Sequence, residues 1–274
     1  MMGETMTSEP SVTVIIAAYN AAAYIDQALD SVLAQYSEEE AEKLLRIILV
    51  DDASSDETGT IMDRFAAEHP GIAKGLHNDE NMGVASSRNR AINLAETKYI
   101  AFLDADDYWT PGKLKAQVAV LEQSDAVITS TARELIRADG MSTGVVIPVK
   151  NTITYDMLLH TNSISCSSVL ARTEVVKEFG MEHDELHEDY ILWLRILNKY
   201  GDCIGINEPY LKSRMSPDGK SRNKWRSARM QMGVYRLIGI PFPKAIRYFI
   251  SYAVNGVIKY NRHGKREEEK RNHE

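Results

Sequence analysis

Cysteine is nearly absent from this sequence. Cys166 and Cys203 are the only two, and no CxxC spacing joins them, so thiolate metal centres and dithiol redox chemistry have nothing to build on. A domain of this size needs no disulfide staple, and two reduced thiols are expected. Long apolar runs are missing as well: no stretch approaches the roughly eighteen apolar residues of a membrane-spanning helix. Residues 1–10 are polar and lead into an apolar segment too short for a secretory signal. An intracellular protein is expected, free in the cytoplasm or attached to the inner face of the membrane.

Several nucleotide and nucleophile signatures are also lacking. The first apolar run is followed by AAYNAAAY, with no GxGxxG, which removes the dinucleotide fingerprint. The run Gly219, Lys220, Ser221 resembles the end of a P-loop, but Arg214 stands where its first glycine belongs and no strand directly precedes it. A GxSxG elbow is missing too.

What is present describes a globular α/β chain of 274 residues, 44% hydrophobic and 26% charged. Its net charge of −7 conceals a split. Residues 1–211 carry 16 Lys and Arg against 34 Asp and Glu, whereas residues 212–274 carry 16 against 5. An acidic body with a basic C-terminal part meets something anionic at one end.

Apolar runs alternate with amphipathic stretches through the first half. Strands are expected at 12–18, 46–50, 72–77, 99–103 and 125–130. Helices are expected between them, one over 24–33 and one over 84–95. Ser54 and Glu57 have capping-box spacing ahead of a third helix, and Thr110 with Pro111 resembles an N-cap followed by a first-turn proline. This alternation predicts a mostly parallel sheet covered on both faces. Beyond residue 131 the pattern loosens to short strands at 145–147 and 167–171, a helix at 155–160 and a clearer helix over 189–200. Residues 213–224 read as a polar mobile loop, and helical patterns from residue 225 break at Pro241 and Pro243.

Ligands of open α/β sheets bind beyond the carboxyl ends of the strands. Three such ends carry polar groups here: Ala18, Tyr19 and Asn20 after the first strand, Asp51 and Asp52 after the second, and the DADD run 104–107 after the fourth. Clustered acids repel one another unless a cation or a donor-rich ligand sits among them. Hard oxygen ligands one residue apart suit Mg²⁺ or Mn²⁺, with phosphate oxygens completing the shell. Turn formation and helix capping are the plain alternative for each acidic pair.

In order and approximate spacing, VTVIIAAYNAAAYIDQALDSVLAQ, ILVDDASSDET, NMGVASSRNRAI, YIAFLDADDYW and HEDYILWLR resemble the family 2 glycosyltransferases of the GT-A fold, over about residues 11–215. The resemblance implies an inverting transferase. It would move a hexosyl or N-acetylhexosaminyl group from a nucleotide-diphosphate donor, most commonly a UDP-sugar, to a hydroxyl acceptor in surface polysaccharide or glycolipid synthesis. It places Tyr19 against the nucleobase, Asp52 on its N–H edge, and Asp104 and Asp106 as the DxD pair, with Asp106 closest to the metal. Asp107 is an alternative ligand or ribose partner. Asp189 would be the catalytic base, with Glu188 beside it raising its proton affinity. Helix capping by this pair is the competing reading. Arg88 would reach a phosphate or form a surface ion pair. Trp193, one helical turn after Asp189, would wall the acceptor site or pack in the core. His183 and His187 are expected in solvent rather than on a metal.

These expectations divide the chain into a glycosyltransferase domain over 1–215, a basic loop and helical extension over 216–264, and a disordered tail over 265–274. Within the first, the nucleotide-binding half covers about 11–130 and the acceptor half about 131–215. Arg214, Ser221 and Arg222 are candidates for a lid over the diphosphate. The basic extension could instead meet a membrane surface or a lipid-linked acceptor, or pack on the body or on a second subunit of a homo-oligomer. Nucleic acid is a poor partner for so acidic a body. Two alternatives stand beside the transferase reading: a nucleotidyltransferase, which lacks its glycine-rich first loop here, and a non-catalytic sugar-nucleotide binding module.

Overall fold

The computed structural model describes residues 11–182, 184–215 and 224–253. In chain order the elements are β1 (Val12–Ala18), α1 (Ile25–Leu33), α2 (Glu38–Leu44), β2 (Leu45–Asp51), α3 (Thr58–Glu68), β3 (Ala73–His77), α4 (Val84–Leu94), β4 (Tyr99–Phe102), β5 (Tyr108–Trp109), α5 (Lys113–Glu122) and β6 (Ile128–Ile136). They continue with β7 (Ser142–Ile147), β8 (Thr152–Ile153), α6 (Tyr155–His160), a 3₁₀ turn (Cys166–Ser168), β9 (Val169–Arg172), α7 (Thr173–Phe179), α8 (Glu188–Tyr200), β10 (Cys203–Arg214) and α9 (Lys224–Leu237). A last helix, α10, covers residues 242–253 of the described chain.

β1 is apolar on both faces and almost wholly buried, so it belongs in the middle of a covered sheet. Its one hydroxyl, on Thr13, is satisfied by Thr97 Oγ1 at 2.7 Å. β2 and β4 flank β1 in parallel, and β3 extends the sheet from β2. Past β4 the sheet turns mixed: the order is β3-β2-β1-β4-β9-β6-β10-β5, with β7 on β6 and β8 on β10. β9 runs antiparallel to both β4 and β6, while β10 runs parallel to β6.

The core lies in two layers. One side of the sheet presents Val14, Ile16, Ile47 and Leu49 to α1, α3 and α5 through Leu29, Met62 and Leu114. The other presents Ile15, Val50 and Phe102 to α4, α6 and α8. α8 is buried nearly all round from Tyr190 to Leu194, the pattern of a central helix. Each large side chain so covered stabilises the fold by roughly 1.5–3 kcal/mol. Both cysteines are buried free thiols.

Several local readings are corrected. Ser54 and Glu57 form no capping box: Ser54 Oγ accepts the Asn20 N–H at 3.0 Å, and α3 begins at Thr58, whose N–H donates to Asp56 Oδ1. A capping box does occur, between Ser37 and Glu40 at the start of α2, which was not expected. Thr110 is no N-cap either. Its N–H and hydroxyl both point at the Tyr210 carbonyl, so α5 starts after Gly112. Ser213 and Arg214 belong to β10 rather than to a loop.

Tyr235 and Tyr248 of the C-terminal region pack inward. Tyr235 OH donates to the Leu159 carbonyl at 2.7 Å, Gln231 Nε2 donates to Tyr190 OH at 3.3 Å, and Tyr248 OH donates to Asp156 at 3.2 Å. α9 comes so close to the loop before α8 that a side chain at Gly233 would strike Leu186, 2.7 Å from where its Cβ would lie. Among the described residues no helix is long and apolar enough to cross a membrane. Ser221, Arg222 and the tail over 265–274 lie outside the described residues.

Candidate active site

The parallel strands β1, β2 and β4 end at one edge of the sheet, and each delivers its polar residues there. After β1, Ala18 is buried and Tyr19 is 53% exposed. Asn20 has a left-handed backbone, φ 50°, and its Oδ1 accepts the Ser55 N–H at 2.8 Å, tying the first loop to the second. After β2, Asp52 is buried and holds the loop ahead of α4. Its Oδ1 accepts Asn78 Nδ2 at 2.7 Å and the Met82 N–H at 2.8 Å, and its Oδ2 accepts the Gly83 N–H at 3.0 Å. Anchoring that loop is therefore one role of Asp52.

The acidic run after β4 forms a turn closed by the Asp107 N–H on the Asp104 carbonyl at 3.0 Å. Ser167 pins it from the 3₁₀ turn ahead of β9: its Oγ accepts the Asp104 N–H at 3.0 Å and its carbonyl accepts Trp109 Nε1 at 2.7 Å. Asp107 is turned into the protein, where its Oδ1 accepts the Arg214 N–H at 2.8 Å. Burial, and then the Asp104 and Asp106 charges, push its carboxyl well above the usual range. The Asp106 carboxyl is also raised, by burial first and by Asp104 second.

Arg214 is fixed rather than free. Its Nε donates to the Asp106 carbonyl at 2.9 Å, its Nη1 to the Ala138 carbonyl at 2.8 Å and its Nη2 to Gln27 at 2.8 Å. The guanidinium also lies 4.5 Å from the Tyr24 ring centroid. At the end of β10 it braces the acidic turn, and it is not placed in a lid.

Arg88 corrects the surface ion-pair reading. It is buried, with Nη2 on Asp104 Oδ1 at 2.5 Å and Nη1 on Glu188 Oε1 at 3.1 Å. One guanidinium thus joins the acidic turn to the first residue of α8. Asp189 follows, half-buried, with its Oδ1 on the Tyr190 N–H at 2.7 Å. Burial, followed by the neighbouring Glu188 charge, raises the Asp189 carboxyl from 3.8 to about 7 against the opposing pull of Arg88.

A cleft of about 240 Å³ brings together Arg88, Asp104, Glu188 and Asp189. Arg133, Asn162 and His187 also line it, and none of these was identified as a cleft residue from sequence. His187 stands at the N-cap of α8 and is half-buried, which corrects the solvent placement. His183 lies outside the described residues. Trp193 does not wall the cleft: it is fully buried and packs edge-on against Phe102 with ring centroids 6.0 Å apart.

No three metal-ligating side chains converge among the described residues. The acids nevertheless fit a hard cation completed by ligand oxygens. Asp106 sits beside Asp104 with its carboxyl raised by burial and then by that neighbouring charge, and a divalent ion would relieve both.

Residues 13–179 match the model of "Glycosyl transferase family 2". The putative teichuronic acid biosynthesis glycosyltransferase TuaG of Bacillus subtilis is 32% identical over 252 residues, 92% of this chain and 98% of that one. The Escherichia coli UDP-Glc:alpha-D-GlcNAc-diphosphoundecaprenol beta-1,3-glucosyltransferase WfaP is 33% identical over 249 residues, 91% of this chain and 95% of that one. Among solved structures, the mannosyltransferase PcManGT from Pyrobaculum calidifontis, in complex with GDP-Man and Mn²⁺, superposes with a TM-score of 0.61 at 22% identity. That match covers 88% of this chain and 65% of the other, and it bears on the fold. With a family model over residues 13–179, near-full-length relatives and a shared fold in agreement, this chain belongs to glycosyl transferase family 2 and has the GT-A fold.

Proposed function

We propose that this glycosyltransferase inverts the anomeric centre as it moves a sugar from UDP to a hydroxyl of a lipid-linked acceptor, with Asp189 as the base. One observation carries the reading: Asp189 lies in a cleft with Asp104, at the start of a helix, and its carboxyl is raised to about 7. A base of that strength is half ionised at neutral pH and can take the acceptor proton as the hydroxyl attacks. Glu188 and burial supply the proton affinity, while Arg88 keeps the acids from repelling one another apart. The UDP-glucose donor and the diphosphoundecaprenol acceptor named for the 33% identical relative support the choice of substrates.

Donor binding follows from the other strand ends. The exposed ring of Tyr19 is available for the nucleobase. Asp52 Oδ2 accepts one hydrogen bond, from Gly83, and has a lone pair for a base N–H. Asp106, with Asp104 beside it, would hold Mn²⁺ or Mg²⁺, which when bound neutralises charge on the departing diphosphate. Arg88 reaches the diphosphate only through Asp104, so its role is to position.

The test is isothermal titration of a panel of nucleoside diphosphates, with Mn²⁺ and with chelator. UDP should bind in the presence of metal alone, and Asp106→Ala should abolish that binding. Equal affinity in chelator would overturn the metal site, and tighter binding of another diphosphate would overturn the UDP assignment.

A further inference from the structure

α10 has two exposed chemistries on one surface. Phe242, Ile246 and Ile250 are spaced four residues apart and are 70%, 41% and 58% exposed. They form a stripe along one flank of the helix, because residues at this spacing share a face. Lys244 and Arg247 are exposed beside them, and Arg229 and Arg236 are exposed on α9. The inward face is different: Ala245 is buried, and Tyr248 packs against Tyr235 and His160. The fold accounts for the hydroxyls of Tyr235 and Tyr248 and leaves the apolar stripe uncovered.

The sequence sharpens the point. From Gly219 to Arg266 there is not one Asp or Glu, while twelve Lys and Arg fall in the same span. An outward apolar stripe flanked by cations is the pattern of an interfacial helix lying in the headgroup region of a bilayer.

We propose that the exposed face of α10, with the basic flank of α9, docks this protein on an anionic phospholipid surface. The biological sense of this rests on the lipid-linked acceptor argued above, and the surface chemistry stands on its own. Phe242, Ile246 and Ile250 enter the acyl boundary, and Lys244, Arg247, Arg229 and Arg236 face the phosphates. A second copy is the poorer occupant. A two-fold contact through this face would set the cations of each copy close to those of the other, with no acid from the same region to offset them.

The site stays coupled to the surface. α9 and α10 rest on α6 and on the loop and first turn of α8, through Leu159, Asp156, Leu186 and Tyr190. Tyr190 is the residue next to Asp189, so the docked helices support the segment that carries the base.

The experiment is co-sedimentation of the full chain with vesicles of phosphatidylcholine, alone or with phosphatidylglycerol. UDP titration of each sample reports separately on the donor site. The wild type should sediment with the anionic vesicles only, and less in high salt. Ile246→Glu with Ile250→Glu should lower the partition coefficient at least about tenfold. Lys244→Glu with Arg247→Glu should do the same, with UDP binding intact in both pairs. Wild-type protein that stays in the supernatant, or a glutamate pair that sediments like wild type, would overturn the proposal. So would a wild-type dimer in sedimentation velocity that the Ile246→Glu, Ile250→Glu pair converts to monomer, because the stripe would then face a second copy.

Discussion

Glu188 and Arg88 meet as a buried ion pair, Nη1 to Oε1 at 3.1 Å, although a hundred positions separate them in the chain. The same guanidinium holds Asp104, so its removal takes the shared cation away from both acids. Arg88→Met is expected to cost about 3–5 kcal/mol, the range for breaking a buried pair from one side. Urea unfolding measures this. Arg88→Lys should recover only part of the loss, because a single ammonium lacks the fork that serves two carboxylates at once.

Asp189→Asn should remove the base while leaving the donor site. Transfer is expected to fall by roughly 10²–10⁴-fold in kcat, the usual span for general acid–base catalysis. UDP affinity should stay within about twofold of wild type, because only the acceptor proton loses its destination. A variant that transfers sugar at the normal rate would move the base to another residue.

The pH profile follows from the raised carboxyl. Asp189 acts when ionised, so kcat/KM should climb with pH through about 7 and level off above it. Glu188→Gln removes a like charge and releases Arg88, and both changes favour the ionised form. The acid limb should therefore move to lower pH, which a kcat/KM series between pH 5 and 9 would reveal.

Stability carries the opposite sign. The folded carboxyl titrates near 7, whereas an unfolded aspartate titrates at about 3.9. Ionising it costs the native state, and that cost builds between those two values and is complete above pH 7. Asp189→Asn should thus melt above wild type at neutral pH, with the difference shrinking toward pH 4. Calorimetry across that range tests a site that trades stability for function.

Gly83→Ala targets the entry to α4. Gly83 has φ 86°, and an added Cβ would run into the Asp184 carboxylate, which accepts the Ala85 N–H at 2.7 Å. The substitution should destabilise by more than the cost of a positive φ alone, roughly 1–2 kcal/mol. It should also weaken UDP binding, because Asp52 accepts the Gly83 N–H. Thermal melts and UDP titration read the two effects.

The parallel half of the sheet was legible because β1, β2 and β4 are short apolar runs, each followed by polar residues, and burial on both faces leaves few other ways to read them. β10 was not. Glu208 and Pro209 interrupt it, and its pairing with β6 slips between Ile206 and Leu211, so neither alternation nor an apolar run marks it. The acidic turn and the Glu188–Asp189 pair stand out in the sequence as motifs. Ser167, which pins that turn, sits in a polar stretch with no period, and its importance comes from contact with residues more than fifty positions away. Trp193 shows the limit of helical spacing. One turn after Asp189 on the helix it does share a side with the base, but α8 is buried nearly all round, so that side is core.

The Asp184 cap on α4 has a consequence for building hybrid enzymes. A residue from the segment leading into α8 completes the first turn of a helix in the N-terminal half. The two halves are therefore not interchangeable cassettes. A chimaera that imports a new C-terminal half must bring an acid at the position of Asp184 and keep a glycine at 83, or the loop before α4 will lose its shape.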